Sequence, residues 1–263
     1  MSDIRLGVIA GQFQPVTHLQ NISPLWKGPL LLDNSITAPN CWLKAVTLPE
    51  LILECFGHLL AKEAGLPSLV PIVVTDPKNL LKNPSKYFFA TEDADTPSLR
   101  QLNAAYPAFQ SIYFDALRSW VDSGMLSVLD ELLANGDRNA GNLLFDGKAK
   151  WIPIDYSRSK ASGPAPMPAW DGTEIRLDFD AVNQLICMRA LDQKNALTAT
   201  TRLERARLFI GVLQHFAGLD IPGCEAIVNR LTVWVQDRRN WSLRRLLGNK
   251  LSTVWGTSIS LPI

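Results

Sequence analysis

The sequence predicts an α+β fold in two lobes, a small β-rich N-lobe with one helix (1–95) and a larger helical C-lobe (96–263). Three observations lead there. Up to about Thr47, short apolar segments are broken by Gly, Pro and Asn, the pattern of a sheet of short strands. One capped amphipathic segment, Thr47 to Pro67, follows them. Beyond the polar, acidic stretch Thr91-Glu92-Asp93-Ala94-Asp95-Thr96-Pro97, apolar residues recur mainly at helical spacing. A chain of 263 residues with 47% hydrophobic content can bury the core that two lobes require.

In the N-lobe, Leu6 to Ile9, Leu30 to Leu32 and Cys41 to Val46 read as strands of a small antiparallel sheet. The third, C-W-L-K-A-V, places Lys44 between Leu43 and Ala45, where a lysine either faces water or serves a site. Thr47-x-x-Glu50 is a capping box that opens a helix, Pro49 is tolerated in its first turn, and Gly65 with Pro67 closes it. Leu51, Ile52, Cys55, Phe56, Leu59 and Leu60 form the main apolar face, and Glu54 points away from its centre, beside Gly57 and Ala61. Two readings of Glu54 stand: a solvated glutamate, or one on a small-residue face that lets the helix approach the sheet closely. Leu69 to Val74 and Lys86 to Ala90 read as further strands.

In the C-lobe, Phe109, Ile112, Tyr113, Ala116, Leu117, Trp120 and Val121 read as one helix face directed at the core, ending at Gly124. Met125 to Ala134 continue as a second helix. Further helical patterns lie near Phe179 to Ala190, Arg202 to Ala217 and Glu225 to Arg238, with Trp241 to Leu247 as a candidate fourth. From Tyr156 to Gly172 the chain is rich in Ser, Pro, Gly and Ala, the composition of a loop; Ser157, Ser159 and Ser162 lie there beside Arg158 and Lys160 as candidate regulatory modification sites. The cluster Arg238-Arg239, Arg244-Arg245 and Lys250 around Trp241 reads as a solvated helix face rather than a nucleic-acid surface.

The chemistry concentrates in Leu132 to Ser157, LLANGDRNAGNLLFDGKAKWIPIDYS. A helix end meets the Asn135-Gly136 turn, and Asp137 and Asn142 then face a loop. Leu143-Leu144-Phe145, an Asp146-Gly147 hairpin turn and Ala149 to Ile154 follow, and the second strand delivers Asp155. Phosphoryl transfer from ATP needs a carboxylate to position the acceptor hydroxyl, and an amide with a second carboxylate to hold Mg²⁺ against the phosphates. An Asp-x-x-x-x-Asn loop joined by a hairpin to a strand-end Asp supplies all three.

N-G-D-R-N-x-G-N-L-L followed by W-I-P-I-D resembles the catalytic segment of the HipA-like kinases and, more distantly, the D-R-H-x-x-N segment of phosphatidylinositol 3- and 4-kinases and the H-R-D-x-x-x-x-N loop of protein kinases. Glu54 to Pro67, E-C-F-G-H-L-L-A-K-E-A-G-L-P, is similar to N-E-x-x-x-x-L-L-A-K-x-L-G-L of the HipA-like family. The resemblance implies a bilobed protein kinase-like fold with ATP and Mg²⁺ as cofactors, Asp137 as the acceptor-side carboxylate, Asn142 and Asp155 as metal ligands, and Lys44 on the nucleotide phosphates, paired with Glu54. Order along the chain puts Tyr87, Phe88, Phe89 and Ala90 at the crossing between lobes, where kinases contact adenine through the backbone. The segment departs from the family in three places. Asn139 stands where many relatives have His, Ser157 stands in place of Gly, and no clear glycine-rich phosphate loop precedes Lys44, with Gly11-Gln12 and Gly28 as the only candidates.

The resemblance implies a protein substrate accepting on Ser or Thr, and it opens a toxin role with a DNA-binding antitoxin as partner. A kinase of lipid or small-molecule hydroxyls, or a nucleotide-binding pseudokinase acting as an interaction module, remain as alternatives. The 26 basic and 25 acidic residues cancel, so no global field calls for nucleic acid or an anionic membrane, and an anionic ligand must be held locally. Cys41, Cys55, Cys187 and Cys224 lack C-x-x-C spacing and read as reduced core thiols, and the three histidines are too dispersed for a metal site. With no signal-like N-terminus and no membrane-length apolar run, a soluble cytoplasmic protein is expected.

Overall fold

The structure, a computed structural model, describes residues 4–17, 24–33, 36–133, 135, 138–148, 150–157, 221–229 and 231. Six strands form its N-terminal part: β1 (Arg5–Ile9), β2 (Gln14–Pro15), β3 (Leu25–Leu32), β4 (Ile36–Val46), β5 (Ile72–Thr75) and β6 (Tyr87–Glu92). Their order is β1-β5-β6-β4-β3-β2, and β1 also pairs with β3, so five strands close on themselves while β1 and β2 share one edge of β3. The expected small antiparallel sheet is therefore a closed, mixed one, because β1 and β5 run parallel, joined by a connection long enough to hold three strands and a helix. Closure is helped at Gly7, where a Cβ would meet Ile72 Cγ2 at 3.0 Å and Leu32 Cδ2 at 3.3 Å.

Strand alternation sorts the side chains into two cores. Leu30, Leu32, Cys41, Leu43, Ile72, Val74, Phe88 and Ala90 fill the inside of the closed sheet. Their neighbours Val73 and Phe89 point the other way, into a second core with Leu51, Ile52, Phe56 and Leu59 of α1 (Leu48–Glu63). Since Lys44 lies opposite Phe89, it shares that outer face and is directed at α1. β4 runs longer than the apolar segment from Cys41, because residues before Pro39 pair with β3 only, where proline's missing N–H costs no ladder bond.

The capping box at Thr47 and Glu50 forms as its spacing requires, and Gly65, at φ 77°, closes α1 by donating to the Lys62 carbonyl while Leu66 donates to that of Ala61. Every residue from Leu51 to Ala61 is buried, the polar Glu54 and His58 included. The single apolar face read from the sequence underestimates this burial, because α1 is covered on two sides. The sheet lies on one side, and on the other α4 (Ser123–Leu133) supplies Leu126, Leu129 and Leu133 to the same core.

After β6 the chain becomes helical. α2 (Leu99–Ala105) carries a Ser98–Gln101 capping box and buries only Leu99, so apolar periodicity does not reveal it. α3 (Gln110–Ser119) stops short of Gly124 because Trp120 turns extended. Its stripe is only partly core: Leu117 and Trp120 are buried, whereas Phe109, Ile112 and Val121 are exposed. A hairpin of β7 (Leu143–Phe145) and β8 (Trp151–Pro153) follows, its loop organised by Asp146 Oδ1, which accepts from the amides of Lys148 and Lys150. Residues 224–229 are helical, and Cys224, Ile227, Val228 and Leu231 join the α1–α4 core. The patterns near Phe179 to Ala190, Arg202 to Ala217 and Trp241 to Leu247, the residues beyond Leu231, the serines at 159 and 162, Cys187 and the basic cluster lie outside the described residues.

Candidate active site

Lys44 and Asp155 are 111 residues apart, and the Lys44 ammonium donates to Asp155 Oδ1 at 3.0 Å. The same ammonium pairs with the Glu54 carboxylate of α1. Glu54 Oε2 in turn accepts the backbone N–H of Tyr156 at 2.8 Å. Three segments, β4, α1 and the end of the hairpin, thus meet at one lysine. Between the two readings of Glu54 the structure decides for the close-packed one. Gly57, one turn on, lies so near Tyr156 that a Cβ there would be 2.2 Å from the ring Cγ, and only glycine admits that approach.

The hairpin places the other expected ligand. Leu143 pairs with Pro153, and Ile154 N–H donates to the Asn142 carbonyl at 3.1 Å, which puts Asn142 across from the residue before Asp155. Asp155 has φ 62°, a left-handed conformation that Asp tolerates better than most residues and that persists only where its surroundings offset the cost. The Ser157 hydroxyl donates to Asp155 Oδ1 at 2.7 Å and accepts from Lys44 at 3.4 Å. Asp137 itself, with Gly136, lies outside the described residues, but both of its flanks are placed: Asn135 and Arg138 are buried.

Arg138 is the residue that sequence reasoning passed over. Fully buried, it grips Asp130 of α4 through Nε to Oδ2 at 3.0 Å and Nη2 to Oδ1 at 2.9 Å. Its Nη1 donates to the carbonyls of Asn142 at 2.8 Å and of Ile154 at 2.6 Å. The guanidinium also lies over the Tyr156 ring, 5.1 Å from its centroid. One side chain therefore ties the backbone at Asn142 to the backbone next to Asp155. An arginine inside D-R-N that matches Asp130 seven residues upstream of Asp137 is a signal, but only the fold shows what it holds.

Electrostatics follow from one ammonium facing two carboxylates. Burial alone would lower the Lys44 pKa, yet Glu54 and Asp155 outweigh it and hold the lysine above its ordinary value. Burial likewise works to raise Asp155, but Lys44 and the Ser157 hydroxyl hold it well below the usual carboxylate range. Glu54 has no exposure, and burial pushes it up to about 7 against the pull of Lys44 and the Tyr156 amide. Asp155, with its side chain 34% exposed, keeps its charge, and Glu54 is the member whose charge is harder to hold. His58, one turn beyond Glu54, stacks on Phe89 and meets Tyr156 edge-on; burial, then Lys44 and Arg138, lower it to about 3, so it is neutral.

Two expectations about the nucleotide site change. Phe88, Phe89 and Ala90 are paired on both sides, with β4 and with β5, and Tyr87 pairs with Val46. The backbone of Phe88 to Ala90 is thus taken up between two strands, Tyr87 is paired on one side, and the chain leaves the sheet only after Asp93, whose N–H still donates to Asn40. The candidate phosphate-loop glycines have packing roles instead: a Cβ at Gly28 would meet the Phe13 ring at 2.7 Å, and one at Gly11 would meet Pro29 at the same distance. Beside Lys44 on β3, Leu25 pairs with Lys44 and the Pro24 carbonyl accepts from Ala45 N–H.

Among the described residues no group of three His, Cys, Asp or Glu side chains is arranged for a metal. The donors expected to meet Mg²⁺ are the Asp155 carboxylate and the Asn142 side chain, a sparse set of hard oxygens of the kind that Mg²⁺ completes with phosphate and water. No helix among the described residues is long and apolar enough to cross a membrane.

No protein-family model matches the chain, and no curated protein matches its sequence. Among solved structures it is similar to a Helicobacter pylori proinflammatory kinase, CtkA, with a TM-score of 0.54 over 92% of this chain and 96% of that one, at 11% identity. The likeness is one of fold.

Proposed function

We propose that this chain is an ATP- and Mg²⁺-dependent phosphotransferase acting on a hydroxyl group, and in its finer form a HipA-like serine/threonine protein kinase. The observation that carries the reading is the meeting of Lys44, Glu54 and Asp155 from three distant segments, on a fold shared with a kinase. The finer form rests on the resemblance of the D-R-N-x-G-N loop.

Each residue has a task that its surroundings support. Lys44, kept protonated between two carboxylates, supplies positive charge to the nucleotide phosphates, and Glu54 holds it in place. Asp155, kept ionised, and Asn142 hold the metal; Mg²⁺, when bound, neutralises charge on the transferring phosphoryl group. Asp137 accepts a hydrogen bond from the acceptor hydroxyl and helps remove its proton. Adenine meets the backbone beyond Asp93 rather than Tyr87 to Ala90.

The two carboxylates separate experimentally. Asp137→Asn retains Mg²⁺-dependent nucleotide affinity and loses about a hundredfold in turnover, within the range for a lost general base. Asp155→Asn weakens Mg²⁺-dependent affinity as well. Calorimetry with a slowly hydrolysed ATP analogue, with and without Mg²⁺, tests this alongside phosphate transfer from labelled ATP. The reverse pattern, or no transfer by the wild-type chain to any hydroxyl acceptor, overturns the reading.

A further inference from the structure

We infer that Arg100 forms a subsite for an acidic group of the phosphate acceptor, so that the preferred substrate carries Asp, Glu or a phosphorylated residue close to the accepting hydroxyl. The inference deepens the kinase reading and rests on it. Arg100 Nη2 donates to Asn139 Oδ1 at 2.8 Å, and the same oxygen accepts from Gly141 N–H at 2.8 Å. Asn139 thereby caps the short 3₁₀ turn Ala140–Asn142, and the guanidinium rests on that cap. A Cβ at Gly141 would stand 3.1 Å from Arg100 Cζ, so the missing side chain makes the seat. The loop concerned is the one that begins with Asp137 and ends with Asn142.

Two features separate this arginine from an ordinary surface cation. Its helix start is fixed to the catalytic hairpin: Ser98 bridges to Leu144, Phe145 N–H donates to the Pro97 carbonyl at 3.0 Å, and the Ser98–Gln101 capping box holds the first turn. It is also exposed, and no carboxylate among the described residues pairs with it. Two other described arginines are neutralised, Arg138 by Asp130 and Arg5 by Asp33 and Glu92. A guanidinium spends one donor group on Asn139 and keeps others in a planar fork that suits a carboxylate or phosphate. The nucleotide phosphates have their own cation in Lys44, whereas Arg100 is attached to the loop that handles the acceptor.

The test is phosphorylation of Ser/Thr peptide pairs that differ only in having Asp or Lys beside the acceptor, using labelled Mg²⁺-ATP and the full chain. The wild type prefers the acidic member by about tenfold, the scale of one charge-assisted hydrogen bond, and the difference lies in KM for the peptide. In Arg100→Gln the preference falls below about twofold, and in Arg100→Glu it inverts, as expected when a charge pair is removed or reversed. Equal losses on both peptides would make Arg100 a structural clip for the loop, and a change in KM for ATP with an unchanged peptide ratio would place it on the nucleotide; either overturns the subsite. A wild type that phosphorylates acidic and basic members equally overturns the subsite alone. One that phosphorylates none overturns the kinase reading and the subsite with it.

Discussion

Tyr156 and Glu54 are bound to each other across 102 residues of sequence, the amide of the first donating to the carboxylate of the second at 2.8 Å, while that carboxylate also pairs with Lys44. The position of α1 is thereby coupled to the backbone immediately after Asp155. If α1 withdrew, Lys44 would lose one anion and Tyr156 N–H would lose its acceptor together.

Glu54→Gln keeps an oxygen for the Tyr156 amide and removes the charge that faces Lys44. Turnover is expected to fall at least about tenfold, or about 1.4 kcal/mol of transition-state stabilisation, in steady-state phosphotransfer assays. A change smaller than twofold would mean that the pair does not orient Lys44.

Gly57→Ala tests the close approach. Alanine favours a helix by about 1 kcal/mol over glycine, but here its Cβ meets the Tyr156 ring, and overpacking of this kind costs about 1–3 kcal/mol. Urea denaturation should show net destabilisation. The loss should shrink when Tyr156 is also replaced by a smaller residue, because the two positions share one space.

Arg138→Met leaves the Asp130 carboxylate buried without its cation, and such a break costs about 3–5 kcal/mol. Adding Asp130→Asn should recover at least about 1 kcal/mol of it, since the orphaned charge is gone while an oxygen for Asn135 remains. Additive losses in the double variant would show that the pair is not the source.

His58 makes stability depend on pH. The unfolded histidine takes a proton below about 6.5 and the folded one only near 3, so between those values protons favour the unfolded chain. Stability from this group is fully present above about 6.5 and falls as pH drops toward 3, with a slope of up to about 1.4 kcal/mol per pH unit. His58→Asn, which can still meet the Ser68 hydroxyl that lies 3.2 Å from Nδ1, removes that slope. Denaturation of both proteins across this window isolates the histidine, because Glu54, whose raised pKa acts with the opposite sign, is common to both.

Local rules sufficed wherever a residue's neighbours in the chain decide its state. The Thr47 capping box, the Gly65 helix stop, the Asp146-Gly147 turn and the alternation that puts Leu43 and Lys44 on opposite faces are properties of a few consecutive residues, and the sequence contains all of them. The hairpin spacing that brings Asn142 and Asp155 together is of the same kind. Other features depended on what covers an element from outside. Helical periodicity put Glu54 off the apolar face, and only a second layer packed against α1 turned that position into the inside of the protein. Tyr87 to Ala90 read as the last strand before a crossing, but a strand does not announce how many neighbours it has; β4 and β5 on either side take up the backbone of Phe88 to Ala90. Arg138 is the clearest case, since its acceptors are two carbonyls and a carboxylate from three separate stretches of chain, and carbonyls have no sequence signature. The sequence by itself determined which residues are candidates for the proposed chemistry, because charge and spacing are local. The tertiary structure decided which of them meet and which are buried, because burial is set by distant segments packing together.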